Sequence, residues 1–187
     1  MPLRQLTEIA LAIALAAVLD IASKSFPVPR LMQGGSVSLQ MLPIFIVAFR
    51  HGWRLGVTAG ACYGVVNFLL DMHVVHPIQV PLDYPVAFGL VGLAGLGHPL
   101  VPADGREMPL FSLGIRLRLA FWVGVGEGLR FFAHFVSGIV FWSQNAPAGQ
   151  PVWVYSLAYN ATYMIPETII DILLLQFMLR RILSYRS

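Results

Sequence analysis

The chain has 187 residues, 57% of them apolar and only 11% charged, with a mean hydropathy of +0.73 and a formal net charge of +3. Soluble domains carry roughly 25% charged residues, so this composition argues against a soluble domain and for an integral membrane protein. The length accommodates about six spans of around 20 residues each with short connections, and residues 1–187 are expected to form a single transmembrane domain.

Apolar runs punctuated by Pro, Gly and charge place helix one at about 5–23, two at about 36–50 and three at about 53–71. Helix four is expected at about 82–100, five at about 111–142 and six at about 152–182. Helix one reads as a span rather than a cleaved leader, because Glu8 abuts the apolar run Ile9 to Val18 and the preceding positive charge is sparse. It also carries Ala10 and Ala14, and Ala12 and Ala16, small residues four apart that permit close helix contact in membranes. Pro43 in helix two, and Pro85 with several glycines in helix four, predict kinks or partial unwinding.

Arginines fix the orientation by their side of the membrane. Arg4, Arg50, Arg54, Arg106, Arg116, Arg118, Arg180, Arg181 and Arg186 all fall at one set of connections and ends, which predicts cytoplasmic termini. The connections Asp71 to Pro81 and Ser143 to Pro151 have no Lys or Arg, as external loops should. Lys24 and Arg30 alone run against this trend. Topology thus accounts for the basic charge without nucleic-acid binding.

Catalytic signatures are missing from the sequence. No phosphate loop, HExxH or GxSxG is present, so ATP hydrolysis by a Walker mechanism is excluded and no enzymatic role, cofactor or metal is expected. Cys62 is the single cysteine, in the middle of helix three. His73 and His76 lie three apart in a proline-bounded loop and read as surface residues.

Helix five carries the strongest signal. Glu127, Arg130, His134, Gly138 and Trp142 follow one another at helical spacing and share a face. Ionisable groups at bilayer depth cost several kcal/mol unless they face a protein interior or a ligand. The stripe admits two readings: a Glu127–Arg130 ion pair tying helices together, or the polar wall of a pocket. Helix six opens with Trp153, Tyr155, Tyr159 and Asn160 after a short connection, so helices five and six are antiparallel neighbours. That brings Trp142 toward Tyr155, and Asn160 to the depth of His134, as an aromatic cage over hydrogen-bonding groups. Glu167 and Asp171 lie deeper, as packing polarity or as partners of Arg130.

Four ordered segments carry a resemblance. They are Gly34-Gly35-Ser36-Val37-Ser38-Leu39 followed by Met41-Leu42-Pro43; Leu82-Asp83-Tyr84; Arg130-x-x-x-His134-x-x-x-Gly138-x-x-x-Trp142; and Tyr155 with Asn160. In this combination the chain resembles the thiamine-specific substrate-binding subunits, or S-components, of energy-coupling-factor vitamin transporters. The resemblance implies an all-α fold of six transmembrane helices in the prokaryotic cell membrane and a thiamine pocket near the outer surface, roofed by the first external loop. Carried over to this sequence, it implies that Trp142 and Tyr155 embrace the planar rings and that His134 and Asn160 hydrogen-bond the aminopyrimidine. Asp83 would face the amino or cationic part, while Tyr84 and Arg130 would line the hydroxyethyl end, and Gly138 belongs to the same binding set. The family usually has Glu and Lys where this chain has Asp83 and Arg130. Pro27, Pro29 and Met32 stand in the loop where some relatives place a Trp. The resemblance also implies that the alanine face of helix one docks on a transmembrane scaffold subunit served by two ATPase subunits. A subunit for a related pyrimidine precursor, and an ion-coupled secondary carrier titrating Glu127, Glu167 or Asp171, are the alternatives.

Overall fold

The computed structural model describes residues 1–25, 34–100 and 112–179. Every regular element among them is a helix: α1 (Leu3–Ser25), α2 (Leu42–His51), α3 (Trp53–Leu70), α4 (Gln79–Gly97), α5 (Leu113–Phe141) and α6 (Val152–Phe177). The six expected helices are all present, with shifted ends. The expected start of helix two at 36 moves to Leu42, because residues 35–38 run as irregular chain past the inner cavity. Pro43 does not kink this helix. It sits in the first turn, where the missing N–H would have had no partner in any case. Arg30, Arg106, Arg180, Arg181 and Arg186, and the expected lid residues Pro27, Pro29 and Met32, lie outside the described residues.

By length and apolar composition α1, α4 and α5 qualify as membrane spans, and α2 is a shorter apolar helix. α3 and α6 turn Asn67, and Asn160, Glu167 and Asp171, into the interior. Apolar side chains such as Leu69, Ile165, Ile169 and Leu173 cover their outer faces. The apolar core gathers Met41, which precedes α2, and Ile44 and Phe45 of α2 with Tyr63 of α3 and Ile115 and Leu119 of α5.

Close packing of α3 on α4 depends on a seam that the motif search passed over. Gly56, Gly60 and Gly64 repeat every four residues on α3, and a methyl group on any of them would collide with the α4 backbone at Gly92, Phe88 or Tyr84. Small-residue faces of this kind let two backbones meet directly.

α4 is irregular where the prolines and glycines predicted. It opens as α-helix over Gln79–Pro81, widens to a π turn over Leu82–Val86 around Pro85, and ends as a 3-10 helix over Gly92–Gly97. Pro85 has no N–H for the ladder, and the widened turn lets Ala87 N–H reach back five residues to Leu82 O. The consequence is a change of phase. Gln79 and Phe88 are nine residues apart, which regular helix geometry at about 100° per residue sets on opposite faces. With one extra residue absorbed in the π turn, both line the same cavity as Asp83 and Tyr84.

α1 is anchored at its two ends. Glu8 contacts His51 at 2.7 Å and Arg50 at 3.9 Å near one end, and Lys24 reaches Asp71 of α3 at the other. Between these points its outer face exposes Leu11, Leu15 and Val18. Of the four alanines, Ala10 and Ala14 are exposed, Ala12 is half-buried and Ala16 is fully buried. The expected single docking face is thus corrected. Residues two apart on a helix point about 200° from each other, so the Ala10/Ala14 pair faces out while Ala16 packs inward against the core.

Candidate functional site

One cavity opens among α1, α3, α4, α5 and α6, and its centre of organisation is the Asp83 carboxylate. The π turn of α4 directs Asp83 toward α5, where Oδ1 lies 3.3 Å from His134 Nδ1. Its Oδ2 accepts from Gln79 Nε2 at 2.6 Å and from the Trp142 indole N–H at 3.4 Å. Trp142 is the residue that ends α5 rather than a member of its last turn. Three donors from two helices therefore fix one carboxylate, each hydrogen bond to a charged group being stronger than a neutral one.

Below it lies the ion pair that the spacing on α5 predicted as one of two readings. Arg130 Nη1 is 3.2 Å from Glu127 Oε2 and 3.2 Å from Glu167 Oε2, and all three side chains are 3% exposed or less. Ser38 from the segment before α2 adds a hydrogen bond to Glu167 at 3.4 Å. Both readings hold together, because Arg130 also faces the cavity and stands over the Phe88 ring at 5.1 Å. Asp171 is buried one turn further along and has no hydrogen-bond partner among the described residues.

α6 supplies the facing wall. Tyr155, Tyr159 and Tyr163 form a ladder along it, the first pair tilted and the second edge-to-face, with ring centroids 6.0 and 5.9 Å apart. Tyr159 Oη accepts the Gly35 N–H at 2.9 Å, which brings the Gly34–Gly35–Ser36 segment over the cavity. A side chain at Gly35 would collide with Tyr163 and Tyr159, so only glycine permits this approach. Asn160 is committed inside the wall: its Nδ2 donates to Ser156 O at 2.9 Å and its Oδ1 accepts from Tyr163 Oη at 2.8 Å. Gly138 presses directly on Ser156, whose hydroxyl donates to Phe135 O at 2.9 Å, and this sets how closely α5 approaches α6. Trp153, at the start of α6, is 55% exposed.

The structure thus brings Asp83, Tyr84, Arg130, His134, Gly138, Trp142, Tyr155 and Asn160 around a single cavity. It also adds an end that the motif reading left out. Lys24 Nζ is held by Asp20 at 2.8 Å and by Asp71, joining α1 to the end of α3. Asn67 donates to Asp20 at 3.3 Å and to Gln40 at 3.2 Å, and Tyr63 donates to Gln40 at 2.7 Å. Lys24, which ran against the charge trend of the loops, is an interior counter-ion. His73 is likewise corrected from a surface residue to a cavity residue: its backbone N–H donates to Tyr84 Oη at 2.9 Å, and Tyr84 Oη donates to Asp71 O at 3.1 Å. His76 remains outside, stacked on Phe141 at 5.2 Å. The overlooked signal was i,i+4 polar pairing inside apolar segments: Asp20 with Lys24, and Gln79 with Asp83.

The model of a family described as thiamine transporter protein matches residues 6–186. The chain belongs to that family. Thiamine transporter ThiT of Bacillus subtilis (strain 168) is 42% identical over 167 residues, covering 89% of this chain and 85% of the relative. ThiT of Lacticaseibacillus paracasei is 32% identical over 145 residues, covering 74% and 70%. A solved structure of ThiT from Listeria monocytogenes superposes with a TM-score of 0.77 over 96% of this chain and 94% of that one. At 23% identity the likeness shows a shared fold. As a member of the thiamine transporter family, the protein is a multi-pass protein of the cell membrane.

Proposed function

We propose that this chain binds thiamine within the membrane as the substrate-specificity subunit of an ATP-driven energy-coupling-factor importer. The observation that carries this reading is the meeting of Asp83 with the Trp142 and Tyr155–Tyr159 rings in one cavity. Thiamine has two flat heterocycles and a permanent positive charge on one of them. Aromatic faces attract such a cation with about 0.5–2 kcal/mol per contact, and a carboxylate partly shielded from water adds a charge of the opposite sign.

The whole chain, 1–187, acts on this reading as one substrate-binding domain. The ligand enters from outside and lays its rings between Trp142 and the α6 tyrosines, with His134 and Asn160 at its polar edges and Tyr84 and Arg130 at the hydroxyethyl end. The exposed Ala10 and Ala14 of α1 admit the close approach of a scaffold helix. Two partner ATPase subunits supply the energy, and this chain does no chemistry on its ligand. A neutral pyrimidine precursor would bring no charge to match Asp83, which favours thiamine over that alternative.

The test is a calorimetric titration of the purified chain with thiamine and with its neutral aminopyrimidine fragment. Thiamine is expected to bind at least about tenfold more tightly, since one ion–aromatic or ion–carboxylate contact supplies about 1.4 kcal/mol. Equal affinity, or no thiamine binding, overturns the reading. Uptake into liposomes is expected only when scaffold and ATPase subunits are present.

A further inference from the structure

The three donors that hold Asp83 are not alike. His134 and Trp142 face the ligand on the proposed reading, and their contacts with the carboxylate are long, 3.3 and 3.4 Å. Gln79 makes the short one, 2.6 Å to Oδ2, from a residue that is 1% exposed. It stands one helical turn ahead of Asp83 on α4, whereas the other two donors belong to α5.

The amide of Gln79 is fully committed. Besides Asp83, Nε2 donates to His73 O at 3.3 Å, and Oε1 accepts the Val75 N–H at 3.3 Å. A glutamine side chain has two donor hydrogens and one carbonyl oxygen, so both hydrogens are used and the oxygen is engaged. Turning the amide over would set Oε1 against the Asp83 carboxylate and the His73 carbonyl, and Nε2 against the Val75 N–H. The backbone of the α3–α4 connection therefore fixes which way the amide points, and the amide fixes Asp83. No N–H of this side chain is left over for a ligand.

A cation arriving at Asp83 competes with the two donors on its own side of the carboxylate, while Gln79 holds from the other helix. Affinity rises when a group already stands in its bound orientation, because less freedom is lost on binding. Resting on the proposed thiamine reading, we propose that Gln79 is a positioning residue for the ligand. It does not touch thiamine; through one hydrogen bond, anchored on the His73 and Val75 backbone, it keeps the Asp83 carboxylate turned to meet the ligand's cation. A donor to an ionised acceptor is suited to this task, being stronger than a bond between neutral groups.

The test is a double-mutant cycle on the full-length chain purified in detergent and titrated with thiamine. Gln79→Met keeps the length of the side chain and removes its donor and its acceptor, and is expected to weaken binding about tenfold. Asp83→Ala is expected to weaken it further. In the Asp83→Ala background, Gln79→Met is expected to change affinity less than about twofold, because a residue that acts through another has no effect once the other is gone. Equal losses in the two backgrounds would make Gln79 a ligand contact or a simple brace of the connection, and overturn the proposal. Unchanged affinity in Gln79→Met or in Asp83→Ala overturns it as well. Should Gln79→Met fail to fold, Gln79→Ala carries the same cycle. Should Asp83→Ala bind too weakly to titrate, Asp83→Asn takes its place, with an expected further loss of at most about threefold. Absence of thiamine binding by wild type instead overturns the proposed function, so the two failures are told apart.

Discussion

Arg130 and Lys24 occupy the same kind of place in different surroundings. Each cation takes one carboxylate from its own helix and one from a neighbouring helix: Glu127 and Glu167 for Arg130, Asp20 and Asp71 for Lys24. The Arg130 group is sealed, with no member above 3% exposed, whereas Asp71 is 31% exposed at the end of α3. The difference teaches that one arrangement serves two ends. Sealed between α5 and α6, it sets the floor of the cavity. At the rim, it ties a lightly packed helix to the body and leaves its charges within reach of a ligand.

Breaking the sealed group is expected to have the largest effect. Arg130→Ala leaves two carboxylates buried without their cation, and removing one partner of such a pair costs about 3–5 kcal/mol. Thermal unfolding of the detergent-solubilised protein checks it, and a melting temperature equal to wild type would show that Glu127 and Glu167 do not depend on Arg130.

Trp142→Ala comes next, acting on binding more than on folding. It removes a ring and the indole N–H that Asp83 accepts, and thiamine affinity is expected to fall at least about tenfold. Unchanged affinity in a folded variant would take Trp142 out of the site.

Lys24→Gln tests the rim directly. Asp71 is open to water while Asp20 is 1% exposed, so this change leaves one buried carboxylate unpaired rather than two and the stability loss is expected to fall below that of Arg130→Ala. Equal losses at the two positions would erase the distinction between sealed and rim groups. Smallest of all, for ligand binding, is Ala14→Trp on the exposed face of α1. Titration should find thiamine binding intact while ATP-dependent uptake in reconstituted liposomes collapses, because a bulky ring blocks a close helix approach. Wild-type uptake would remove Ala14 from the docking face, and lost binding would place it in the core.

The same pair of cations shows what the sequence made legible. Arg130 was found because Glu127, His134, Gly138 and Trp142 repeat along one helix, and helical spacing is a property of a single segment. Its second partner, Glu167, emerged as an alternative because a short connection forces α5 and α6 to be antiparallel. Lys24 was misread as a loop charge, since its cross-helix partner Asp71 is 47 residues away and no periodicity links them. The glycine seam of α3 was legible as spacing and went unread. Ala12 and Ala16 were read as one face with Ala10 and Ala14, although a two-residue offset turns them to the other side. The run from Gly34 to Leu39 was assigned in part to a helix because its apolar residues say nothing of the tyrosine hydroxyl that holds Gly35 outside one.

The π turn of α4 has a consequence for how this chain tolerates insertion and deletion. Most helices treat a one-residue deletion as damage, because everything beyond it swings by about 100°. In Leu82–Val86 the supernumerary residue is already stored in the turn, so deleting Pro85 itself would let the segment close as regular helix. That helix would nevertheless aim the residues before and after the turn at different neighbours, taking Gln79 away from Asp83 or Phe88 away from Arg130. The segment is therefore a place where a shortened protein is expected to fold and yet lose its ligand, with local regularity and function pulling in opposite directions.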